Sequence, residues 1–289
     1  MNQADPFFEY EQKICPRGST LYYSLLFVDE EKKRSLVALY ALHHEFTQIT
    51  EHYHEKNLAQ IKLQWWQQEC QRMFEGKAQH PIAIALQTAV SAHELPPALF
   101  QEWVDGALLK LDIDHCCTES DLLFFCYREY GILAILSAYL LGFKQHSSLK
   151  GVQELAQSIA LTQVLKKFSY HLRRDWCFLP LDWLTQQNLT VTDLQPLTLT
   201  PALTAVFKQA SDLAEQKFQQ GCKDIYTDDK KTLSPLFIWA AINNKTRVEM
   251  EKEGFNILTQ QIDLTPLRKL FIAIRWYYFP FLVRSNSIK

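Results

Sequence analysis

The stretch Leu36-Val37-Ala38-Leu39-Tyr40-Ala41-Leu42-His43-His44-Glu45-Phe46-Thr47-Gln48-Ile49-Thr50-Glu51 decides the fold class. Leu36, Val37, Leu39, Tyr40, Leu42, Phe46 and Ile49 recur at steps of three and four, the spacing that gathers apolar side chains on one helix face. Residues 31–53 therefore predict an amphipathic helix, with His43, His44, Gln48 and Glu51 on or beside its flank. The same period continues outward over 58–74, which Glu75-Gly76 ends, and over 81–93, which His80-Pro81 opens and Leu95-Pro96-Pro97 breaks. Further helices are expected over 98–111, over 122–143 behind the start signal Thr118-Glu119-Ser120-Asp121, and over 149–174 as one long helix. Residues 190–201 read as loop or short turns, and 202–223, 233–252 and 264–279 complete the helices. With no linker, repeat or low-complexity tract, the expectation is one all-α domain over 1–289.

Composition narrows the function classes. Thirty Lys and Arg against 32 Asp and Glu exclude a whole-surface electrostatic grip, so no nucleic-acid partner is expected. Only eight Gly argue against Gly-rich phosphate loops. Seven Cys, an odd number with no C-x-x-C pair, suit reduced thiols. The beginning Met1-Asn2-Gln3-Ala4-Asp5-Pro6-Phe7-Phe8-Glu9 lacks the basic and apolar parts of a secretory signal, and the apolar run 131–143 is short for a bilayer. A cytoplasmic protein is the expectation. G-x-S-x-G, P-loop and H-E-x-x-H strings are absent, which leaves hydrolase, NTPase and zincin readings without a motif.

Arg17-Gly18-Ser19-Thr20-Leu21-Tyr22-Tyr23, Lys33-Arg34 before Ala38-Leu39-Tyr40-Ala41, Lys62-Leu63-Gln64-Trp65-Trp66, His80-Pro81, Asp105-Gly106 and Phe178-Leu179-Pro180-Leu181 occur in a fixed order. So do Glu253-Gly254-Phe255 and Leu264-Thr265-Pro266-Leu267-Arg268-Lys269-Leu270. In this set the chain resembles the squalene/phytoene synthases, especially the presqualene-diphosphate-synthase-like branch. The resemblance implies the isoprenoid synthase fold, a single helical bundle around a central cavity. It also implies head-to-head condensation of two prenyl diphosphates, with Mg2+ held by Asp-rich motifs on two facing helices.

Those motifs are altered here. Where the resemblance expects Arg-x-x-Asp-Asp-x-x-Asp, this sequence has His44, Thr47, Gln48 and Glu51. The second motif runs without a gap onto Leu161-Thr162-Gln163-Val164-Leu165-Lys166-Lys167-Phe168-Ser169-Tyr170-His171, which contains no carboxylate. Of six acidic positions one remains, at Glu51, and Lys167 brings the formal sum to about zero. Mg2+ prefers several oxygen ligands, so the family's metal cluster is expected to be lost and no cofactor is expected. Tyr130 stands where the family has Ala, and Lys110 where it has Asp.

The candidate site positions are thus Thr47, Gln48, Glu51, Gln163, Lys167 and His171. Ser19, Tyr22, His44, Lys110, Arg128, Lys166 and Lys167 are candidates for binding a substrate. Lys166 and Lys167 could neutralise a diphosphate without metal or be an ordinary solvated pair; Ser19 and Tyr22 could equally cap and pack. His43, His44, Glu51, His52 and His54 crowd one helix end without ligand spacing, so no metal site is read from them. The basic and aromatic segment 264–283 either closes the bundle or touches a membrane interface.

Two functions compete. One is a non-catalytic family member, retained as an isoprenoid- or lipid-binding or assembly protein with a protein partner, cytoplasmic or peripheral to the inner membrane. Glu45-Phe46-Thr47-Gln48-Ile49, Glu55-Lys56 and Leu63-Gln64-Trp65-Trp66 are also similar to the mitochondrial complex I assembly factor that shares this fold. The other is a divergent prenyltransferase that works through Lys166, Lys167 and Arg128.

Overall fold

The computed structural model describes residues 7–52 and 55–279. Two short helices, α1 (Phe8–Ile14) and α2 (Thr20–Ser24), precede the long α3 (Glu30–His52). Next come α4 (Lys56–Phe74), α5 (Pro81–Ala92) and α6 (Pro97–Lys110). Helix α7 (Glu119–Cys126) passes through one π-helical turn, Tyr127–Gly131, directly into α8 (Ile132–Leu141). Helices α9 (Ser148–Lys166), α10 (Phe168–Leu172), α11 (Leu181–Gln186) and α12 (Val191–Leu194) follow. The chain then forms α13 (Pro201–Asp224), α14 (Ser234–Lys252) and α15 (Pro266–Tyr278). Among the described residues, β pairing amounts to the isolated bridge between His115 and Cys177.

Local signals set most boundaries. Thr118 and Asp121 form a reciprocal capping box at the start of α7, as the start signal implied. The His80 ring accepts from the Ile82 amide, and Pro81 fills the first position of α5. The expected helix over 149–174 is interrupted at Lys167, whose φ of −97° and ψ of 6° leave the α-helical track. The interruption lets adjacent side chains turn opposite ways: Phe168 packs on Phe207 at 4.9 Å, while Lys167 reaches the Glu51 carboxylate.

Helices α3 and α9 run through the bundle with mostly apolar inner faces. The tightest crossing joins α9 to α13, where a Cβ on Gly151 would lie 2.9 Å from the Gly221 carbonyl oxygen, so both positions need the absent side chain. The helical stretch Glu119–Leu141 is long and apolar enough to cross a membrane, but over half of it is buried inside the bundle, as in a core helix. All seven cysteines are free, and only Cys117 is exposed.

Candidate functional site

Glu51 lies in the last turn of α3, 6% exposed at the side chain. A carboxylate there faces the negative end of its own helix dipole, and burial alone would push its pKa up. Two ammonium groups reverse the balance. Lys110 Nζ lies 3.3 Å from Glu51 Oε1, and Lys167 Nζ lies 3.3 Å from the same oxygen and 3.4 Å from Oε2. His171 Nε2 is 3.9 Å away. Against the cost of burial, the adjacent His171 ring and the charges of Lys110 and Lys167 hold Glu51 well below the usual carboxylate range.

Both lysines stand at helix C-termini, Lys110 as the last residue of α6 and Lys167 as the residue capping α9, where the dipole favours a cation. Lys110 is 4% exposed at the side chain and also bonds Glu129 Oε1 at 3.2 Å. Burial works to lower its pKa, and Glu129 and Glu51 more than offset this, so it is raised. Burial likewise opposes ionisation of Glu129, which Lys110 and His43 keep below the ordinary value. Two carboxylates and two ammoniums thus form one compensated cluster between α3, α6, the π-helical turn and the α9–α10 junction.

The π-helical turn completes it from the far side. It places Glu129 against Lys110 and Tyr130 against His43, whose ring centroids are 5.1 Å apart. A Cβ on Gly131 would stand 2.7 Å from the Tyr127 ring, which is why a glycine closes the turn. His43 lies between Trp103 at 6.0 Å and Tyr130, and Tyr130 continues to Trp239 at 5.9 Å and Tyr40 beyond it. Burial lowers His43 to about 4, so the ring is neutral near pH 7. His171, lowered mainly by burial, is neutral there too. The expected facing of the segments around Glu51 and Lys167 is met: Glu51 on α3 touches Lys167 and His171.

Beside this contact a groove of about 540 Å3 opens between the α9–α10 junction and residues 257–261. Lys166, Lys167, Tyr170 and Arg173 line it. Lys166 lies 3.7 Å from Asp263. Burial and the neighbouring Glu51 charge raise the Tyr170 hydroxyl.

The remaining candidates fall in different places. Gln163 donates from Nε2 to Asn243 Oδ1 at 2.7 Å, tying α9 to α14. Thr47 and Gln48 are half-buried one turn before Glu51, and the Thr47 hydroxyl and His44 Nε2 are buried without a hydrogen-bond partner among the described residues. Ser19 caps α2 by accepting from the Tyr22 amide, and Tyr22 packs edge-on against Tyr23, on the side of the bundle where α2 meets α14 and α15. Arg128 points away from the cluster: it donates to the Glu102 carbonyl at 2.7 Å and lies over the Phe124 ring. Lys110 is buried in the cluster rather than placed at the groove. His54 lies outside the described residues, and among those described no three His, Cys, Asp or Glu side chains converge as a metal set.

Sequence reasoning passed over Glu129 and His43 as partners within the cluster. The signal for Glu129 was its place one residue before Tyr130, since a lysine buried on α6 requires a carboxylate opposite. No helical period reveals a π turn, so the side Glu129 faces was not readable.

The squalene/phytoene synthase family model matches residues 16–268. The chain is 21% identical over 265 residues to the chloroplastic phytoene synthase of Narcissus pseudonarcissus, covering 89% of this chain and 63% of that one. It is 26% identical over 186 residues to the NADH dehydrogenase (ubiquinone) complex I assembly factor 6 of Mus musculus, covering 64% and 53%. The chain thus spans a little over half to two thirds of the length of these relatives. Among solved structures, squalene synthase HpnC from Alicyclobacillus acidocaldarius superposes with a TM-score of 0.76 at 16% identity, over 87% of this chain and 95% of that one. That likeness and the helix arrangement establish the isoprenoid synthase fold, and the match over 16–268 shows that this chain belongs to the squalene/phytoene synthase family.

Proposed function

We propose that this protein is a non-catalytic member of its family, a helical scaffold whose former metal and diphosphate site has become an internal salt-bridge cluster. One observation carries the reading: the carboxylate that remains, Glu51, is already bonded to Lys110 and Lys167. Mg2+ prefers an octahedral set of oxygen ligands and brings two positive charges. In a cluster of two carboxylates and two ammoniums its charge would be uncompensated, and an ammonium stands where a second carboxylate would be needed. The residues present do not fit the ion.

An assembly role is the positive side of this reading. The mouse relative is by name an assembly factor, and the 26% identity to it supports carrying the idea over, with a protein as partner. A cytoplasmic location with peripheral contact to the inner membrane through 264–283 belongs to the same reading. Purified protein incubated with farnesyl or geranylgeranyl diphosphate and Mg2+ should yield no squalene, presqualene diphosphate or phytoene above a control without protein. Product formation would overturn the proposal.

The groove favours one subsidiary activity. Lys167 is 34% exposed at the side chain, and with Lys166 and Arg173 it gives the groove cations that can meet an anion. A prenyl diphosphate or an anionic phospholipid would bind there without metal, more weakly as salt is added. Lys167→Asp should reduce that affinity in EDTA, and equal affinity would show that the lysines are only solvated.

A further inference from the structure

Helix α15 presents two apolar faces, one packed and one exposed. Its inner face packs firmly: the Trp276 ring stacks on Phe237 at 5.3 Å, and Tyr277 stacks on Phe27 at 4.2 Å. Its outer face is also apolar. Leu267, Phe271, Ile274 and Tyr278 are 78, 69, 40 and 62% exposed, at successive steps of four, three and four residues. That spacing puts them in one line about 16 Å long. A lone exposed leucine is ordinary, but an aligned aromatic and aliphatic stripe on one surface helix marks a contact.

Charge identifies the partner. After Asp263 the sequence has no Asp or Glu, yet it carries Arg268, Lys269, Arg275, Arg284 and Lys289. This net +5 segment belongs to a chain whose formal net charge is −2. Lys269 is buried on Asp263 and Gly18, whereas Arg268 and Arg275 flank the stripe in solvent. The other acid that meets α15, Glu249, is outnumbered by Arg268 at 2.7 Å, Lys245 at 3.7 Å and Lys252 at 3.8 Å. Apolar residues aligned on a helix and edged by an excess of cations suit a surface that is apolar within and anionic at its boundary. A second copy of this chain offers no such surface here, because two of these faces would set like charges together.

We infer that α15 is a docking helix for anionic lipid bilayers, lying in the membrane interface with Leu267, Phe271, Ile274 and Tyr278 in the acyl boundary and Arg268 and Arg275 among the headgroups. This makes specific the peripheral contact included in the proposed function. It does not depend on whether the groove binds a diphosphate, and the assay below contains no prenyl diphosphate, so its failure leaves the reading of the Glu51 cluster untouched.

The test is co-sedimentation of the full chain with vesicles of phosphatidylcholine alone or of phosphatidylcholine mixed with phosphatidylglycerol, at low and high salt, beside sedimentation velocity without lipid. The protein should bind the anionic vesicles, weakly bind the neutral ones, and lose affinity as salt rises. Phe271→Asp should lower affinity about tenfold or more, and Arg275→Glu about fivefold or more. Both side chains are exposed, so thermal melting should match the parent. Failure of the parent to bind anionic vesicles, equal binding by folded Phe271→Asp, or lipid-free self-association through Phe271 without vesicle binding would each overturn the inference.

Discussion

Glu51 and Lys110 are a buried pair in which each side chain depends on the other. With 6% and 4% side-chain exposure, neither can be relieved by water when its partner is removed. Glu51→Gln should therefore cost about 3–5 kcal/mol in urea unfolding, and Glu51→Leu with Lys110→Met should cost less than the two single changes summed. Costs within experimental error for Glu51→Gln would contradict the buried-cluster account. His43 makes the cluster sensitive to pH. Burial, with Lys167 and Lys110 adding and Glu129 and Glu51 opposing, lowers it from 6.5 to about 4, so between those values the unfolded chain binds the extra proton. Stability is then full above pH 6.5 and falls by about 3 kcal/mol as the pH drops to about 4. His171 acts in the same direction, and Glu51, held low in the fold, adds a loss that begins below about 4.5. Unfolding midpoints across this range should show the slope, and His43→Phe should flatten the part above 4.5; an unchanged slope would show that His43 is not the group responsible. The sequence disclosed that the stretches around Glu51 and Lys167 lie in register with the expected motifs, because register is a property of the chain. Where Lys110 and Arg128 send their long side chains was not legible, since that depends on Glu129 and Glu102 arriving from other turns.

Helices set these residues in place, and two local departures from regular geometry matter most. The π-helical turn at Tyr127–Gly131 brings Glu129 and Tyr130 into contact with the cluster, and the interruption at Lys167 lets that side chain and Phe168 diverge. Neither could be read from a three-and-four period, which continues through both sites and so gave a single helix over 122–143 and over 149–174. The capped starts at Thr118 and His80 were legible because caps are set by residues adjacent in sequence. The α9–α13 crossing gives an independent test of the packing. A Cβ at Gly151 would lie 2.6 Å from Ile225 Cγ1 and 2.8 Å from the Ile225 amide nitrogen, so the backbones must part. Gly151→Ala should destabilise by about 1–3 kcal/mol despite the better helix propensity of alanine. A raised melting temperature would mean that α9 and α13 do not approach this closely.

For the molecule as a whole, the family fold holds at its centre a cluster in which Lys110 and Lys167 meet Glu51, and the proposed function rests on that cluster. The fold was legible because a long apolar period and ordered motifs extend through nearly the whole chain. Function was less so, since Lys167 and His171 read as residues alone suit an anion site as well as a self-neutralised one, and their distances to Glu51 depend on the fold. The stripe on α15 was visible as composition, but its exposure depends on how Trp276 and Tyr277 pack. Titration calorimetry with farnesyl thiodiphosphate, with Mg2+ and with EDTA, reads out whether the Glu51 cluster still takes up a metal ion. The affinity should be the same in both conditions, because Lys110 and Lys167 already neutralise Glu51; an affinity that Mg2+ raises tenfold or more would contradict a metal-free cluster.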